Sequence, residues 1–137
     1  MPLRMYHGTS LAHAQAIIGP PPTLDVTRGR GEFGRGFYFG DSRGFAMTWA
    51  SNRYREPALV EAAPEEDRLM ALKHKKLDAD QSDALRAAVG SDKKTYLCGI
   101  DLVIGTVKNN PRRLQYKFES EDAQAFLHES GRLEVIK

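Results

Sequence analysis

Four glycines in the eight residues from Gly29 to Gly36 constrain the fold more than any other feature of the sequence. The first six of these residues match the G-x-G-x-x-G pattern of dinucleotide-binding folds, which requires a strand before it and a helix N-terminus after it. Here the chain continues into Phe37-Tyr38-Phe39, which has the composition of a short strand. The sequence therefore argues against a doubly wound domain and predicts a loop, Asp25 to Gly36, whose glycines permit close approach of another group.

The order of the predicted elements indicates the fold class. Helices are expected after the capping residues Ser10 and Ser42 and over 121–129. The segment 55–94, which contains Pro57 and Pro64, is interpreted as a helical insert in a single domain of residues 1–137. Because strands and helices do not alternate regularly, the sequence predicts an α+β fold. The predicted strands are Leu3 to His7, Phe37 to Phe39, Thr95 to Ile104, Leu114 to Phe118 and Leu133 to Ile136.

Several function classes lack their sequence motifs. The chain has one cysteine, Cys98, and four scattered histidines, with no H-E-x-x-H, C-x-x-C or G-x-S-x-G pattern. We therefore expect neither a metal site nor serine hydrolysis. No stretch is long and apolar enough to span a bilayer, and the N-terminus lacks the apolar run of a signal peptide. The expected compartment is cytoplasmic, with no membrane partner.

Three separated motifs resemble the ADP-ribosyltransferase superfamily, on the branch that diphtheria toxin shares with the poly(ADP-ribose) polymerases. They are Tyr6-His7-Gly8-Thr9, residues 33–39 followed by Ala46 to Ala50, and residues 114–118. More narrowly, runs within residues 34–38, 48–50, 101–105 and 115–127 look like a bacterial domain family of unassigned function with a His-Tyr-Gln pattern. The resemblance covers 5–54 and 98–127. It implies an α+β fold in which two small β-sheets form a split sandwich with flanking helices.

The resemblance also implies a substrate, NAD⁺, and a role for each motif residue. His7 would hydrogen-bond the adenosine ribose, and backbone Gly8 would pair with the nicotinamide carboxamide, assisted by Thr9. Tyr38 would stack on the nicotinamide ring and Trp49 would supply a second stacking aromatic. Each residue also has a structural alternative: a capped strand-end histidine, a sheet tyrosine, and, for the tryptophan, a core aromatic packed against Phe45.

The sequence departs from the polymerase pattern at Gln115, where the polymerases carry a glutamate. That residue normally holds the nicotinamide-ribose hydroxyl and polarises the acceptor. An amide accepts a hydrogen bond but cannot stabilise developing positive charge as a carboxylate does. Transfer of a single unit is therefore expected rather than chain elongation. Glu119 and Glu121 are alternatives for this role, and Gln115 ranks first among the three because of its alignment.

These motifs lead to one expected function and two alternatives. We expect a mono-ADP-ribosyltransferase that cleaves NAD⁺ and modifies a protein or nucleic acid, as a toxin or effector whose partner would be an antitoxin or immunity protein. The alternatives are an NAD⁺ glycohydrolase, with water as acceptor, and an inactive module that binds NAD⁺ or ADP-ribose. The net charge of +2 does not select nucleic acid. The arginines at positions 28, 30, 35, 43, 112 and 113 are interpreted as a solvated face, with a phosphate-binding patch as the alternative.

Overall fold

The structure is a computed structural model that describes residues 1–137. It contains five helices and nine strands, which fall in the order expected of an α+β fold. The elements are β1 (Met5–Ser10), α1 (Leu11–Ile18), β2 (Arg30–Gly31), β3 (Gly34–Arg35), β4 (Phe37–Gly40), α2 (Arg43–Ser51), β5 (Pro57–Ala62), α3 (Glu66–Met70), β6 (His74–Lys76), α4 (Ala79–Val89), β7 (Leu102–Val107), β8 (Asn110–Phe118), α5 (Glu121–Ser130) and β9 (Glu134–Ile136). The predicted α+β class is confirmed.

Seven strands form one mixed sheet in the order β6-β7-β8-β4-β1-β5-β9, and β2 and β3 form a separate hairpin. The expectation of two small sheets is therefore wrong, because the two halves remain hydrogen-bonded to each other. They are joined weakly: β1 and β4 share one residue pair, Tyr6 with Gly40, whereas β1 and β5 share six. The Nδ1 atom of His7 lies 2.7 Å from the carbonyl oxygen of Tyr38. A side chain thus occupies an acceptor that would otherwise be available to the backbone of β1, and the sheet opens there.

The segment 55–94 is not simply a helical insert. Helices α3 and α4 lie in it, but Pro57–Ala62 is strand β5, which pairs with β1 on one side and β9 on the other. The interior of this strand is buried on both faces and so lacks the polar-apolar alternation of a half-exposed strand. Its proline is the first residue of the strand, a position where the missing N–H group is tolerated. Another correction concerns 95–101, which is irregular; β7 begins at Leu102.

Serine caps place two helices directly after the central strands. Ser10 accepts a hydrogen bond from the backbone of His13 at the start of α1, and Ser42 accepts one from Phe45 at the start of α2. Both caps were predicted, and each satisfies an N–H group that the first helical turn leaves free. Helices α1 and α2 therefore lie close to the opening between β1 and β4. None of the helices has the length and apolar character needed to cross a membrane.

The hydrophobic core draws on strands from both halves of the sheet. Its main cluster includes Met5, Val60 and Phe118, all fully buried. A smaller cluster of Phe33, Leu77 and Val103 packs beneath the β2–β3 hairpin and includes part of the ring of Tyr38. The hairpin is therefore attached to the sheet through buried side chains, and it forms one wall of the opening described below.

Candidate functional site

A cavity of about 750 Å³ lies where the two halves of the sheet separate. Its walls come from β1, α1, the β2–β3 hairpin, β4, α2 and β8, which belong to three separate parts of the chain, 5–18, 30–51 and 110–118. All six residues predicted for the site line it: His7, Gly8, Thr9, Tyr38, Trp49 and Gln115. A single concave site lined by convergent polar groups is the usual form of a small-molecule site.

The imidazole of His7 is held in one tautomer. Its Nδ1 atom lies 2.7 Å from the carbonyl oxygen of Tyr38, and because a carbonyl only accepts, Nδ1 carries the hydrogen. The ring packs on Phe37 with 4.2 Å between centroids. Burial lowers the pKa of His7, against the opposing effect of the hydrogen bond to Tyr38. The neutral ring therefore retains Nε2 as a hydrogen-bond acceptor.

The backbone of Gly8 faces the open edge of β1. The pairing of β1 with β5 continues one residue beyond Ser10 and Pro57, where the N–H of Leu11 donates to the carbonyl of Glu56 at 2.8 Å. Antiparallel pairs alternate, so odd-numbered residues of β1 such as His7 bond to β5 and even-numbered residues point the other way. The N–H and C=O groups of Gly8 are consequently directed toward β4, where the two strands no longer pair.

A glycine is required at position 8 for a reason that the sequence did not indicate. A Cβ atom added there would lie 2.7 Å from the carbonyl oxygen of Ala46 and 3.3 Å from the Trp49 ring. The missing side chain therefore lets α2 approach β1. This packing brings Trp49 to the cavity beside the free backbone groups of Gly8.

Tyr38 forms part of the cavity wall but is only partly free. Its hydroxyl donates to the carbonyl of Gly34 at 2.6 Å and accepts from the N–H of Phe33 at 2.9 Å. Burial raises the pKa of this phenol, so it stays protonated. A Cβ atom added to Gly31 would lie within 2.7 to 3.0 Å of three ring carbons, so the hairpin backbone covers one side of the ring. A ligand can therefore contact only the part of the ring that Gly31 leaves uncovered.

Trp49 and Phe45 are exposed aromatic residues on the cavity side of α2. Their exposed fractions are 39% and 49%, and both line the cavity, so the core-aromatic alternative for Trp49 is wrong. The guanidinium of Arg53 lies 4.1 Å from the centroid of the Trp49 ring, in a cation–π contact. The Trp49 ring thus already binds one planar cation, and it forms part of the cavity wall.

The amide of Gln115 has a defined orientation. Its Nε2 atom donates to Oε1 of Glu32 at 3.0 Å and to the carbonyl of Thr106 at 3.1 Å. Both partners are acceptors, so the nitrogen and not the oxygen must face them. The Oε1 atom of Gln115 has no protein donor and is not among the fully enclosed polar atoms. This oxygen is therefore not fully enclosed, and it belongs to a residue that lines the cavity.

Glu32 is a cavity residue that the sequence reasoning missed. It lies in the turn of the β2–β3 hairpin, and its Oε1 atom accepts from Arg86 at 2.7 Å, Gln115 at 3.0 Å and the N–H of Lys108 at 3.1 Å. Its side chain is 28% exposed. An acid inside a glycine-rich run was the only sequence signal, because its partners lie 54 to 83 residues away in the chain.

The alternative acids do not reach the cavity. Glu119 is buried, where its carboxylate pairs with Lys117 and accepts from the backbone N–H groups of Cys98 and Gly99 at 2.7 and 2.8 Å. Glu121 lies exposed in the first turn of α5. Neither lines the cavity, so both are wrong as substitutes for Gln115 in this site. The buried ion pair instead fixes the segment that follows Cys98.

Charged residues of both signs surround the cavity. Arg28, Arg30 and Arg113 line it, so part of the arginine cluster interpreted as a solvated face borders the site. Asp25 and Asp41 line it as well, and they lie 3.3 Å from Arg28 and 3.9 Å from Arg113 respectively. The first two arginines are exposed, so a negatively charged group at the cavity mouth would be attracted without loss of their hydration.

No group of three or more histidine, cysteine, aspartate or glutamate side chains is placed to hold a metal ion. Comparison with known proteins adds no assignment, because no family model matches the chain and no curated protein is significantly similar to it. The chemistry of the site therefore has to be inferred from the residues around the cavity.

Proposed function

We propose that this protein is a mono-ADP-ribosyltransferase that binds NAD⁺ in the cavity between β1 and β4 and transfers one ADP-ribose unit to a macromolecular acceptor. The observation that carries the proposal is the convergence of His7, Tyr38 and Gln115, which belong to three separate motifs, on one cavity of about 750 Å³. The opening of the sheet at this point also supports an ADP-ribosyltransferase-like fold, with the central opening in place of a complete split into two sheets.

The proposed reaction requires few functional groups of the protein. The bond between the nicotinamide nitrogen and C1′ of the ribose breaks, and its electron pair leaves with the nicotinamide, which becomes neutral. The nucleophilic atom of the acceptor then bonds to C1′ and releases its proton. Positive charge develops on the ribose during this step, so catalysis depends on holding the two rings and placing acceptors near C1′.

The roles of the residues follow from their free atoms. Nε2 of His7 accepts a hydrogen bond from a hydroxyl of the adenosine ribose. The carboxamide of nicotinamide, which has one donor and one acceptor side, matches the C=O and N–H groups that Gly8 directs toward the opening. Thr9 lies beside this pair, and the nicotinamide ring lies between Tyr38 and Trp49.

Glutamine at position 115 favours a second candidate, an inactive module that binds NAD⁺ or ADP-ribose. The neutral amide of Gln115 offers Oε1 to a ribose hydroxyl but stabilises positive charge less than a carboxylate does. The two candidates differ in one observable, because only the enzyme releases nicotinamide.

The test is to incubate the purified protein with NAD⁺ labelled in the adenine ring, together with protein and nucleic-acid acceptors. Release of nicotinamide and labelling of an acceptor are expected, and both should be lost in His7→Ala and Tyr38→Ala. His74→Ala, an exposed residue outside the cavity, is the matched control. Free ADP-ribose without a labelled acceptor would indicate hydrolysis. Binding without nicotinamide release would support the inactive module, and transfer that survives both changes would refute the site.

A further inference from the structure

Three hydrogen-bond donors hold the cavity carboxylate of Glu32 from one side. All three of its donors, Arg86, Gln115 and the N–H of Lys108, contact Oε1. Oε2 has no protein donor and is not fully enclosed. We propose that Glu32 supplies the catalytic carboxylate of this site, from the hairpin and not from β8, an inference that rests on the proposed function.

The hydrogen bonds to Oε1 fix the direction of Oε2. Arg86 is itself held, because it donates to the carbonyl of Thr106 at 2.7 Å and its side chain is only 12% exposed. An anchored carboxylate loses little freedom when it engages a substrate, and a group fixed before the reaction stabilises the transition state most effectively.

The same geometry explains the amide at position 115. The side chain there must donate to Glu32 and to the carbonyl of Thr106, which an ionised carboxylate cannot do. Gln115 and Glu32 together therefore carry one negative charge, on the hairpin residue. In this arrangement Gln115 is a positioning residue for Glu32, and it also offers its own Oε1 to the ribose.

Glu32 lies next to the proposed nicotinamide site. The residues on either side of it both contact Tyr38: Gly31 lies against the ring and the N–H of Phe33 donates to the hydroxyl at 2.9 Å. As the bond from C1′ to nicotinamide breaks, Oε2 stabilises the positive charge on the ribose and accepts from a ribose hydroxyl. No covalent bond to Glu32 forms, so the overall reaction is unchanged.

The other cavity carboxylates have different surroundings. Asp25 accepts from the N–H and hydroxyl of Thr27, contacts that stabilise the turn in which it lies and lower its pKa. Asp41 follows β4 and lies 3.9 Å from Arg113. Neither has a carboxylate oxygen fixed by the network that includes Gln115, so Glu32 is the residue that the geometry favours.

The test compares Glu32→Gln and Glu32→Asp with the control Asp83→Asn, using single-turnover release of nicotinamide and calorimetric titration with NAD⁺. Glu32 and Asp83 both pair with Arg86, but only Glu32 lines the cavity. We expect Glu32→Gln to lower the rate about a hundredfold or more while its NAD⁺ dissociation constant changes less than about threefold. Glu32→Asp keeps a carboxylate on a shorter side chain, so its rate should fall between those of Glu32→Gln and the unmodified protein. The rate of Asp83→Asn should stay within about threefold of that of the unmodified protein.

Two results would overturn the role of Glu32 while leaving the proposed function intact. The first is a rate of nicotinamide release in Glu32→Gln equal to that of the unmodified protein. The second is an equal loss of rate in Asp83→Asn and Glu32→Gln, which would mean that Glu32 acts only by holding Arg86. Thermal unfolding of each variant identifies a fold defect, and Glu32→Asp keeps the test decisive if Glu32→Gln unfolds. Unmodified protein that neither binds nor cleaves NAD⁺ would overturn the proposed function and this inference with it.

Discussion

Replacing Gln115 with glutamate would install the residue that the polymerase pattern carries at this position, yet we expect it to damage this protein. The Nε2 atom now donates to Glu32 at 3.0 Å and to the carbonyl of Thr106 at 3.1 Å. A carboxylate in its place would present an oxygen to two acceptors. Both hydrogen bonds would be lost, and two negative charges would meet in a site where residue 115 is only 8% exposed.

The loss of stability in Gln115→Glu is set by whichever costs less: keeping both carboxylates ionised, or protonating one of them. Two carboxylates about 3 Å apart repel by about 5 kcal/mol at an effective dielectric constant of about 20. Keeping one glutamic acid neutral costs less: with an ordinary pKa of about 4.3, it requires about 4 kcal/mol at pH 7 and about 1 kcal/mol at pH 5. Protonation therefore limits the loss. The raised pKa in the folded state means that the variant regains stability as the pH falls toward 4.3, because the unfolded chain then also binds the proton.

The assay is urea unfolding of Gln115→Glu and the unmodified protein at pH 7 and pH 5, followed by the fluorescence of Trp49, the only tryptophan. We expect a difference in unfolding free energy of about 4 kcal/mol at pH 7 and about 1 to 2 kcal/mol at pH 5. Gln81→Glu is the matched control, since Gln81 lies in an exposed capping box where glutamate is equally suitable. An equal penalty at the two pH values, or none, would refute the contact between Gln115 and Glu32.

Three further predictions concern the parts of the fold that support the site. Burial lowers the pKa of His7, so as the pH falls the unfolded chain binds a proton at this residue before the folded chain does. The unfolding free energy should therefore be constant above about pH 6.5 and decrease below it, and His7→Gln should flatten this decrease in urea titrations. An unchanged pH dependence in His7→Gln would contradict the prediction. Gly8→Ala should lower the unfolding free energy by about 1 to 3 kcal/mol in calorimetry, because its Cβ would lie 2.7 Å from the carbonyl oxygen of Ala46; a neutral effect would show that α2 has room to move. Lys117→Met should destabilise the protein by about 3 to 5 kcal/mol, since it leaves the buried Glu119 carboxylate without its cation. The double variant Lys117→Met with Glu119→Gln should recover part of this loss in thermal melts. A double variant no more stable than Lys117→Met alone would argue against the ion pair.

The elements that sequence reasoning located are those with local signals. Ser10 and Ser42 mark helix starts because a serine side chain satisfies the free N–H groups of the first turn. Phe37-Tyr38-Phe39, bounded by glycines, forms most of β4. The convergence of His7, Tyr38 and Gln115 on one cavity was expected only through the resemblance, since composition and spacing do not state which strands become neighbours.

The features that were missed depend on contacts between distant residues. Strand β5 was interpreted as part of a helical insert because Pro57 was interpreted as a break and because a strand buried on both faces has no alternation. Glu32 falls in the predicted loop Asp25 to Gly36, and nothing near it in sequence indicates that Arg86 and Gln115 fold against it. Trp49 was ambiguous because helical spacing from Phe45 is equally compatible with a core and with a cavity wall.

A crystal structure of the protein with an uncleavable NAD⁺ analogue would show whether the cavity between β1 and β4 binds the dinucleotide as proposed. We expect the nicotinamide carboxamide on the backbone N–H and C=O of Gly8, its ring between Tyr38 and Trp49, and Oε2 of Glu32 within about 3.5 Å of the nicotinamide ribose. Binding of the analogue outside the cavity between β1 and β4, or with the ribose turned away from Glu32, would contradict the proposal.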